Sequence, residues 1–558
     1  MAKTIAEKII RTRDDLKSKR STYKTLCDEA CRLFNPEMED LMSNTEGSEI
    51  LQPIVSTGIL AQERLTAGLF SNTMSMGRGN IKDEDPRKMK SASVKRFYTA
   101  LSKETHQRIQ TSPFPEKYNS MLEGFDVRGE GVMYVHFNRE TRQHEYMVYP
   151  AIKCFPVRDV KGSVVEMYRE YELSAQQAVL EFGEENVSQE LRNAYDRDDY
   201  NLKFEFIHAM RPRKVRDRRR LDAQNMRFES VHIEVAQKKK VRVSGARRMR
   251  YLMPRFYVRD DEECGRSPAM RALPVARTLM KVVSDHMDGV EIGVAPPIFL
   301  PDKDAVESAC LEAFGVNYCD TGKGQIFTYT GNGNLQLSSD FIDFLKEELN
   351  KLHYVDLFTM LEQMKDRQKT AYEISQLIGE RIQAISPVVN RLSNGFFAPL
   401  YEIVAEDIID YGLLNETIPP ELLVDKGDGQ GSGFRVIYTS RLDVQLADME
   451  ISSLSQAIQQ AAEMVAGIEQ IPRLAAAVKI SKLIEKIFEA KNVDVEILYT
   501  ETETEDNWDE YLKSKEEAAA REQLAGAVKP VDVQKRSEEE SPADLAGQMM
   551  DENMTVAI

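Results

Sequence analysis

The chain has 558 residues and a formal net charge of −17, with 91 Asp and Glu against 74 Lys and Arg, a length that calls for a sizeable core and more than one structural region. An acidic balance of this size excludes a protein that wraps DNA by neutralising its phosphates. No apolar run approaches the roughly 20 residues that cross a bilayer, and the start MAKTIAEKIIRTRDDLKSKR is too charged for a secretory signal, so a soluble chain made in the cytoplasm is expected.

Residues 1–110 predict mainly helix, because LSKETHQRIQ and IVSTGILAQERLTAGLFSNTM carry apolar residues at three- and four-residue spacing. In the second segment Ile59, Leu65, Leu69 and Phe70 form the expected buried stripe, and SMGRGNIKDEDPRK after it reads as a loop. From about Tyr118 to Tyr171 the texture changes. Short aromatic and β-branched runs in GEGVMYVHFN, HEYMVYPAIKCFPV and SVVEMYREYEL, set between Gly, Asn and Asp, predict a small antiparallel sheet. A helix follows in SAQQAVLEFG, and further strands in FEFIHAMRPRK, FESVHIEVAQKKKVRV and YLMPRFYVRD.

Ser267 as N-cap and Pro268 at the first helical position predict a long helix from there to about Gly293, roughly 40 Å at 1.5 Å per residue, with Pro274 a potential kink. APPIFLPDK ends it, and FGVNYCDTGKGQIFTYTGNGNLQL is Gly-rich with short strands. A second helix is predicted from near Ser339, so that a small strand-bearing insert lies between two long helices. MKDRQKT is a polar break. A further helical tract runs from AYEIS to DIIDYG, with Pro387 and Pro399 placed to bend or divide it, and helices return between about Val444 and Ala490. The last 55 or so residues are highly charged with sparse apolar content, which predicts disorder or a loose helix.

Catalytic signatures are missing from the sequence. Neither TGKGQIF nor TYTGNGN has the GxxxxGK[ST] spacing by which backbone amides cradle phosphates, and there is no GxSxG or HExxH. The seven histidines, His106, His136, His144, His208, His232, His286 and His353, never pair at ligand spacing. The six cysteines, Cys27, Cys31, Cys154, Cys264, Cys310 and Cys319, are scattered as in a reduced protein; Cys27 and Cys31 share a helix face without a third ligand nearby. The acidic pairs Asp260–Asp261 and Glu347–Glu348 are of a type that binds Mg²⁺ in nucleases, but adjacent acids are common in so acidic a chain. No metal or cofactor is expected. The basic stretch from Arg211 to Arg250, with Arg218, Arg219, Arg220, Lys238, Lys239 and Lys240 at its densest points, reads equally as a nucleic-acid patch or as a solvated hairpin.

The order of these segments resembles the head-to-tail connector, or portal, proteins of short-tailed, podovirus-type bacteriophages, over roughly residues 10–500. The likeness rests on TGILAQERLTAGLFSNTM, on GEGVMYVHFNRETRQHEYMVYP, on RDVKGSVVEMYREYELSAQQAVLEFG with Asp159 and Gly162 in its turn and Arg169 in the strand after it, on FYVRDDEECGRSPAMRALPVARTLMKV, and on DRQKTAYEISQLIGERIQAISPVVNRLSNGFFAPL. Cys264 stands where such proteins often carry Tyr. The resemblance implies an α+β fold with a mixed wing (1–266), a first stem helix (267–294), a clip (295–337), a second stem helix (338–362), a channel loop (363–370), helices returning to the wing (371–443), crown helices (444–503) and an acidic tail (504–558). It further implies a twelve-fold ring at one capsid vertex that nucleates head assembly with the major capsid and scaffolding proteins. Such a ring docks the terminase large subunit, passes double-stranded DNA and holds a tail adaptor, in the virion and without membrane insertion. The contrasting readings are a DNA-processing enzyme such as a terminase or nuclease, and a shell or scaffolding protein.

A channel that conducts DNA must not hold it, since each phosphate contact adds affinity that has to be broken at every step. On this reading Asp285, Asp288, Glu291, Glu347 and Glu348 are candidates for a repulsive lining, and Lys365, Arg367 and Lys369 for brief phosphate contacts, with a solvated interhelix turn as the alternative for MKDRQKT. Phe299, Tyr318, Phe327 and Tyr329 are the clip residues expected to serve subunit pairing and the docking of terminase and tail adaptor.

Overall fold

The structure is a computed structural model that describes residues 4–35, 52–74, 77–199, 201–217, 220, 222–259, 262–301, 314–319, 326–328, 335–358, 385–423, 433–440 and 443–444. Thr4 begins the first helix: its hydroxyl accepts from the Glu7 amide while the Glu7 carboxylate accepts from the Thr4 amide, a reciprocal cap on α1 (Ile5–Lys19). α2 (Ser21–Phe34) follows directly, and then α3 (Gln52–Met74), which buries Leu65 and Leu69 of the expected stripe but leaves Ile59 and Phe70 only half-buried.

The segment expected to be a loop after α3 contains a strand instead, β1 (Arg78–Asp83). α4 (Ala92–Thr111) and α5 (Phe114–Arg128) come next, so the first part of the expected sheet from Tyr118 is helical. Gly129 ends α5 with φ +78°; a Cβ there would meet the Arg266 carbonyl carbon at 2.6 Å, so the turn requires glycine on conformational and steric grounds alike.

The strands that follow divide between two sheets. β2 (Met133–Asn138) pairs antiparallel with β3 (Gln143–Val148) on one side and with β9 (Tyr251–Leu252) on the other. β4 (Cys154–Arg158), β5 (Val164–Ser174), β6 (Lys203–Pro212), β7 (Phe228–Glu234) and β8 (Lys239–Ala246) form an antiparallel five-stranded meander in chain order. Two short helices, α6 (Ala175–Phe182) and α7 (Gln189–Asp196), interrupt the meander between β5 and β6; the sequence reading anticipated only the first. Because side chains alternate along a strand, Phe204 and Phe206 of β6 pack with α6 and α7 while Ile207 and Ala209 pack with Ile9 and Leu16 of α1.

α8 (Pro268–Val294) starts as predicted, with the Ser267 hydroxyl accepting from the Met270 amide at 2.9 Å. It runs for 27 residues without interruption at Pro274, about 40 Å. α9 (Leu335–Leu352) packs along it; it begins slightly earlier than expected and ends at Leu352, where a turn at His353–Tyr354 interrupts the helix expected to continue to 362. Between them β10 (Ile298–Pro301) pairs parallel with β11 (Val316–Cys319) and antiparallel with β12 (Phe327–Thr328).

Residues 385–392 are helical and pass through a π-turn, Ser393–Phe397, into α10 (Ala398–Asp410), with α11 (Pro420–Leu423) beyond. Pro399 is the second residue of α10, directly after the π-turn, and neither proline breaks the described helical tract; the irregularity is the π-turn ahead of Pro399. β13 (Phe434–Thr439) then pairs antiparallel with β1, from Arg78 opposite Thr439 to Asp83 opposite Phe434. The largest core lies where α3, α4, α5, α10 and this hairpin-like pair meet, with the rings of Phe114, Tyr118, Phe396, Phe397 and Tyr438 packed in sequence. Every described residue belongs to the unit Met1–Ile480 with Ala490–Asn492.

The observed mixture of helices and sheets agrees with the α+β expectation. The channel-loop, crown and tail segments, 363–370, 444–503 and 504–558, lie outside the described residues apart from Val444, and with them Lys365, Arg367 and Lys369.

Candidate functional site

Several apolar side chains of the distal half of α8 and of the insert after it are exposed, Val294 to 81%, Phe314 to 83% and Tyr318 to 55%, with Met287 of α8 exposed too; Phe341 and Phe344 are exposed on α9. Phe341 and Phe344 stack with ring centroids 6.2 Å apart. The proximal half differs. There Ala272, Ala276, Leu279 and Val283 of α8 bury against Ile342, Leu345 and Leu349 of α9. The pair is thus a rod anchored at one end and apolar at the other, a surface pattern that marks an interaction site.

Asp285, Asp288 and Glu291 are exposed on α8 at three-residue intervals and so share one side of the helix; among the described residues none forms an ion pair. Glu347 is exposed on α9, whereas Glu348 accepts from Lys351 at 2.7 Å. Phe299 is buried within β10 and stands opposite Phe327 of β12 in the register; Tyr318 points outward from β11, and Tyr329 lies outside the described residues.

Part of the basic stretch is matched by carboxylates. Arg211 and Arg213 approach Glu229, Arg242 pairs with Glu181 at 2.9 Å, and Lys238 meets Glu7 at 3.4 Å. Lys239 donates to the Val187 carbonyl at 2.6 Å. Arg220 and Lys240 are exposed, and Arg218 and Arg219 lie outside the described residues. Its C-terminal end forms a ladder onto α10. Arg247 pairs with Asp410, Arg248 with Glu402 and Glu406, and Arg250 grips both oxygens of Asp407 at 2.5 and 2.7 Å.

A second buried network, which no sequence signal disclosed, joins the N-terminal helices to the base of α8. Glu130, fully buried, accepts from Arg20 at 2.5 Å and from the Gly265 amide at 3.0 Å, with Arg158 at 3.6 Å. Burial alone would raise its carboxyl, but Arg20 and then Arg158 hold it below the usual carboxylate range. Asp407 follows the same pattern: burial opposes ionisation, and Arg250, then His144, overcome it. Removing one member of such a network strands a buried charge, a change that typically costs about 3–5 kcal/mol. Such remote partners come together only in the fold, so spacing in the chain could not reveal them.

Cys27 and Cys31 are both buried, and burial pushes the Cys27 thiol far up, away from the reactive thiolate. No group of three or more His, Cys, Asp or Glu able to hold a metal occurs among the described residues. Asp260 and Asp261 lie outside them. No helix among the described residues is long and apolar enough to cross a membrane.

Comparison with known proteins finds relatives of this chain among phage portal proteins. The chain is 24% identical over 470 residues to a portal protein of Salmonella phage epsilon15, covering 82% of this chain and 83% of that one. It is 27% identical over 403 residues to a probable portal protein of Bordetella phage BPP-1, covering 69% of each. Residues 6–498 match the sequence profile of the family described as bacteriophage head to tail connecting protein. Since that match takes in most of the sequence and all but the acidic end, the chain belongs to the bacteriophage head to tail connecting protein family.

Proposed function

We propose that this protein is the portal subunit of a short-tailed phage, a structural component of the virion and not an enzyme. Copies arranged about an axis, twelve by the family's habit, form a ring at one capsid vertex, through which DNA enters during packaging and leaves during ejection. The observation that carries this reading is the paired rod of α8 and α9, anchored at one end and exposing apolar side chains around a small sheet at the other. The wing is residues 1–266 with 371–443, the stem 267–294 with 338–362, the clip 295–337, the channel loop 363–370 and the crown 444–503.

In the clip, β11 and β12 each pair on one side only among the described residues, and strands of two to four residues have little stability alone. Ring closure gives such edges partners and covers their exposed apolar side chains. The same face, with Tyr318 outward, serves the terminase large subunit during packaging and the tail adaptor afterwards. The wing meets the major capsid and scaffolding proteins in the host cytoplasm during assembly. Exposed acids on the stem, Asp285, Asp288 and Glu291 first, keep a passing duplex from binding, because like charge disfavours the phosphate contacts that create affinity.

The direct test is to purify the full chain, size it and image the particles by negative-stain microscopy. Rings with an open centre are expected. A lone globule at every concentration, or an assembly of shell-like sheets, would overturn the reading.

A further inference from the structure

Where the proximal end of α8 meets the end of α9, three arginines, Arg255, Arg271 and Arg391, gather with no carboxylate ion-paired to any of them among the described residues. The Arg271 guanidinium lies flat over the Tyr257 ring, 3.5 Å from its centre, and the Tyr257 hydroxyl is 2.7 Å from that of Tyr354. Arg391, half-buried, lies within electrostatic reach of both tyrosines, of Arg255 and of Arg271; its Nε is buried and makes no hydrogen bond among the described residues. Burial, and after it Arg255 and Arg271, depresses the Arg391 guanidinium below its ordinary range, although the tyrosines oppose this. Arg255 donates to the carbonyls of Glu262 and Glu263, so its hydrogen bonds bring no negative charge. Neither Arg271 nor Arg391 forms an ion pair among the described residues, in a chain where most buried or half-buried arginines do.

Converging guanidiniums with a buried unused donor form a site for a planar oxyanion, which a fork-shaped guanidinium binds through two parallel hydrogen bonds. Two sources of that chemistry bear on this molecule, DNA phosphate and protein carboxylate. A phosphate is the poorer fit. Repeated in each copy around a bore, such a cluster would add counterion-release affinity at every subunit, and passage would have to break it at every step. A carboxylate source lies at the same level of the molecule. Asp356 is two residues beyond Tyr354 and Glu347 lies two helical turns before it; both are exposed, and neither is ion-paired among the described residues. Rotation about a ring axis leaves height unchanged, so the acids at the height of the cluster in one copy are at that height in the next.

We propose that Arg271 and Arg391 form a socket for carboxylates of a second copy of this chain, Asp356 and Glu347 of the neighbouring subunit, fixing the stems side by side. The inference rests on the ring reading given above. Its test reverses charges in the full chain: R271E/R391E, D356R/E347R and the four substitutions together, each sized against dilution and salt. The two pairs taken singly are expected to raise the concentration at which rings dissociate by roughly tenfold or more, and the combined variant to restore ring formation. Arg271→Glu alone, at an exposed helix position, gives the same direction if the double variant loses its fold by circular dichroism. If the unaltered chain makes rings and the reversals leave them equally tight, or the combined variant fails to restore them, the socket is wrong and the ring reading stands; if the unaltered chain never makes rings, that reading itself fails. Loss of salt-sensitive binding to a short DNA duplex with rings intact would overturn the socket and assign the cluster to nucleic acid.

Discussion

Two imidazoles stack in the five-stranded sheet, His208 and His232, with ring centroids 4.0 Å apart and planes within 5° of parallel. His208 shares hydrogen bonds with Tyr251 and Ser230 at 2.6 and 2.7 Å, and His232 with Tyr171 at 2.8 Å. Arg169 lies between Tyr149 and Tyr171, 3.8 and 4.1 Å from their rings, so a proton added to either histidine would meet a cation as well as an apolar surround. Burial, then each other's charge or that of Arg169 and Arg242, holds His208 well below its usual range and brings His232 to about 3; burial brings His353 to about 4. In the unfolded chain these groups protonate near the ordinary value of about 6.5. Their contribution to stability is therefore complete above that value and is lost as pH falls toward about 3, at roughly 1.4 kcal/mol per pH unit for each histidine. His232→Gln is expected to flatten the decline by one such increment, read from urea unfolding at stepped pH; parallel slopes for the two proteins would contradict it.

At the scale of elements, α8 depends on how it begins. Ser267 is fully buried, caps the Met270 amide and is followed by Pro268, which presets the first turn. Gly129 packs against the backbone of the same junction, and Glu130 holds the Gly265 amide, so the start of the rod is fixed from three sides. Ser267→Ala is expected to lower stability by about 1 kcal/mol, seen as an earlier urea midpoint with unchanged slope. This helix was legible in the sequence to within a residue because cap, proline and apolar spacing all agree locally. β1 was not legible. Its partner β13 lies some 350 residues away, and a strand covered by so remote a partner leaves only a weak alternation in RGNIKD, which its neighbouring Gly and Asp disguise as a loop. α5 was missed in part for a related reason: its run of aromatic residues, Phe114, Tyr118 and Phe125, fills the main core and imitates a strand in composition.

For the whole molecule, if copies form the proposed DNA-conducting ring, cations are needed only where contact is brief. Lys365, Arg367 and Lys369 are the candidates for that contact in the channel loop. Replacing all three with Ala is expected to leave ring formation intact while shortening the packaged genome or weakening its retention, measured as DNA length in purified particles. Normal length and retention would refute the assignment. The arginines between Arg211 and Arg250 were balanced between DNA contact and a solvated hairpin at the level of sequence. Many of them are engaged instead with Glu229, Glu181 and the acidic face of α10, a use that depends on which carboxylates the fold brings to them.

The sequence by itself determined where the two long helices lie, that a small insert separates them, and which family the ordered segments resemble, because helix caps, periodicity and breakers act over a few residues. Only the tertiary structure decided that β1 and β13 pair, that Glu130 joins Arg20 and Arg158 in the interior, and that Arg271 and Arg391 form no ion pair among the described residues. Each of those depends on groups distant in the chain meeting at a few ångströms, where burial removes water and makes the presence or absence of an opposite charge decisive.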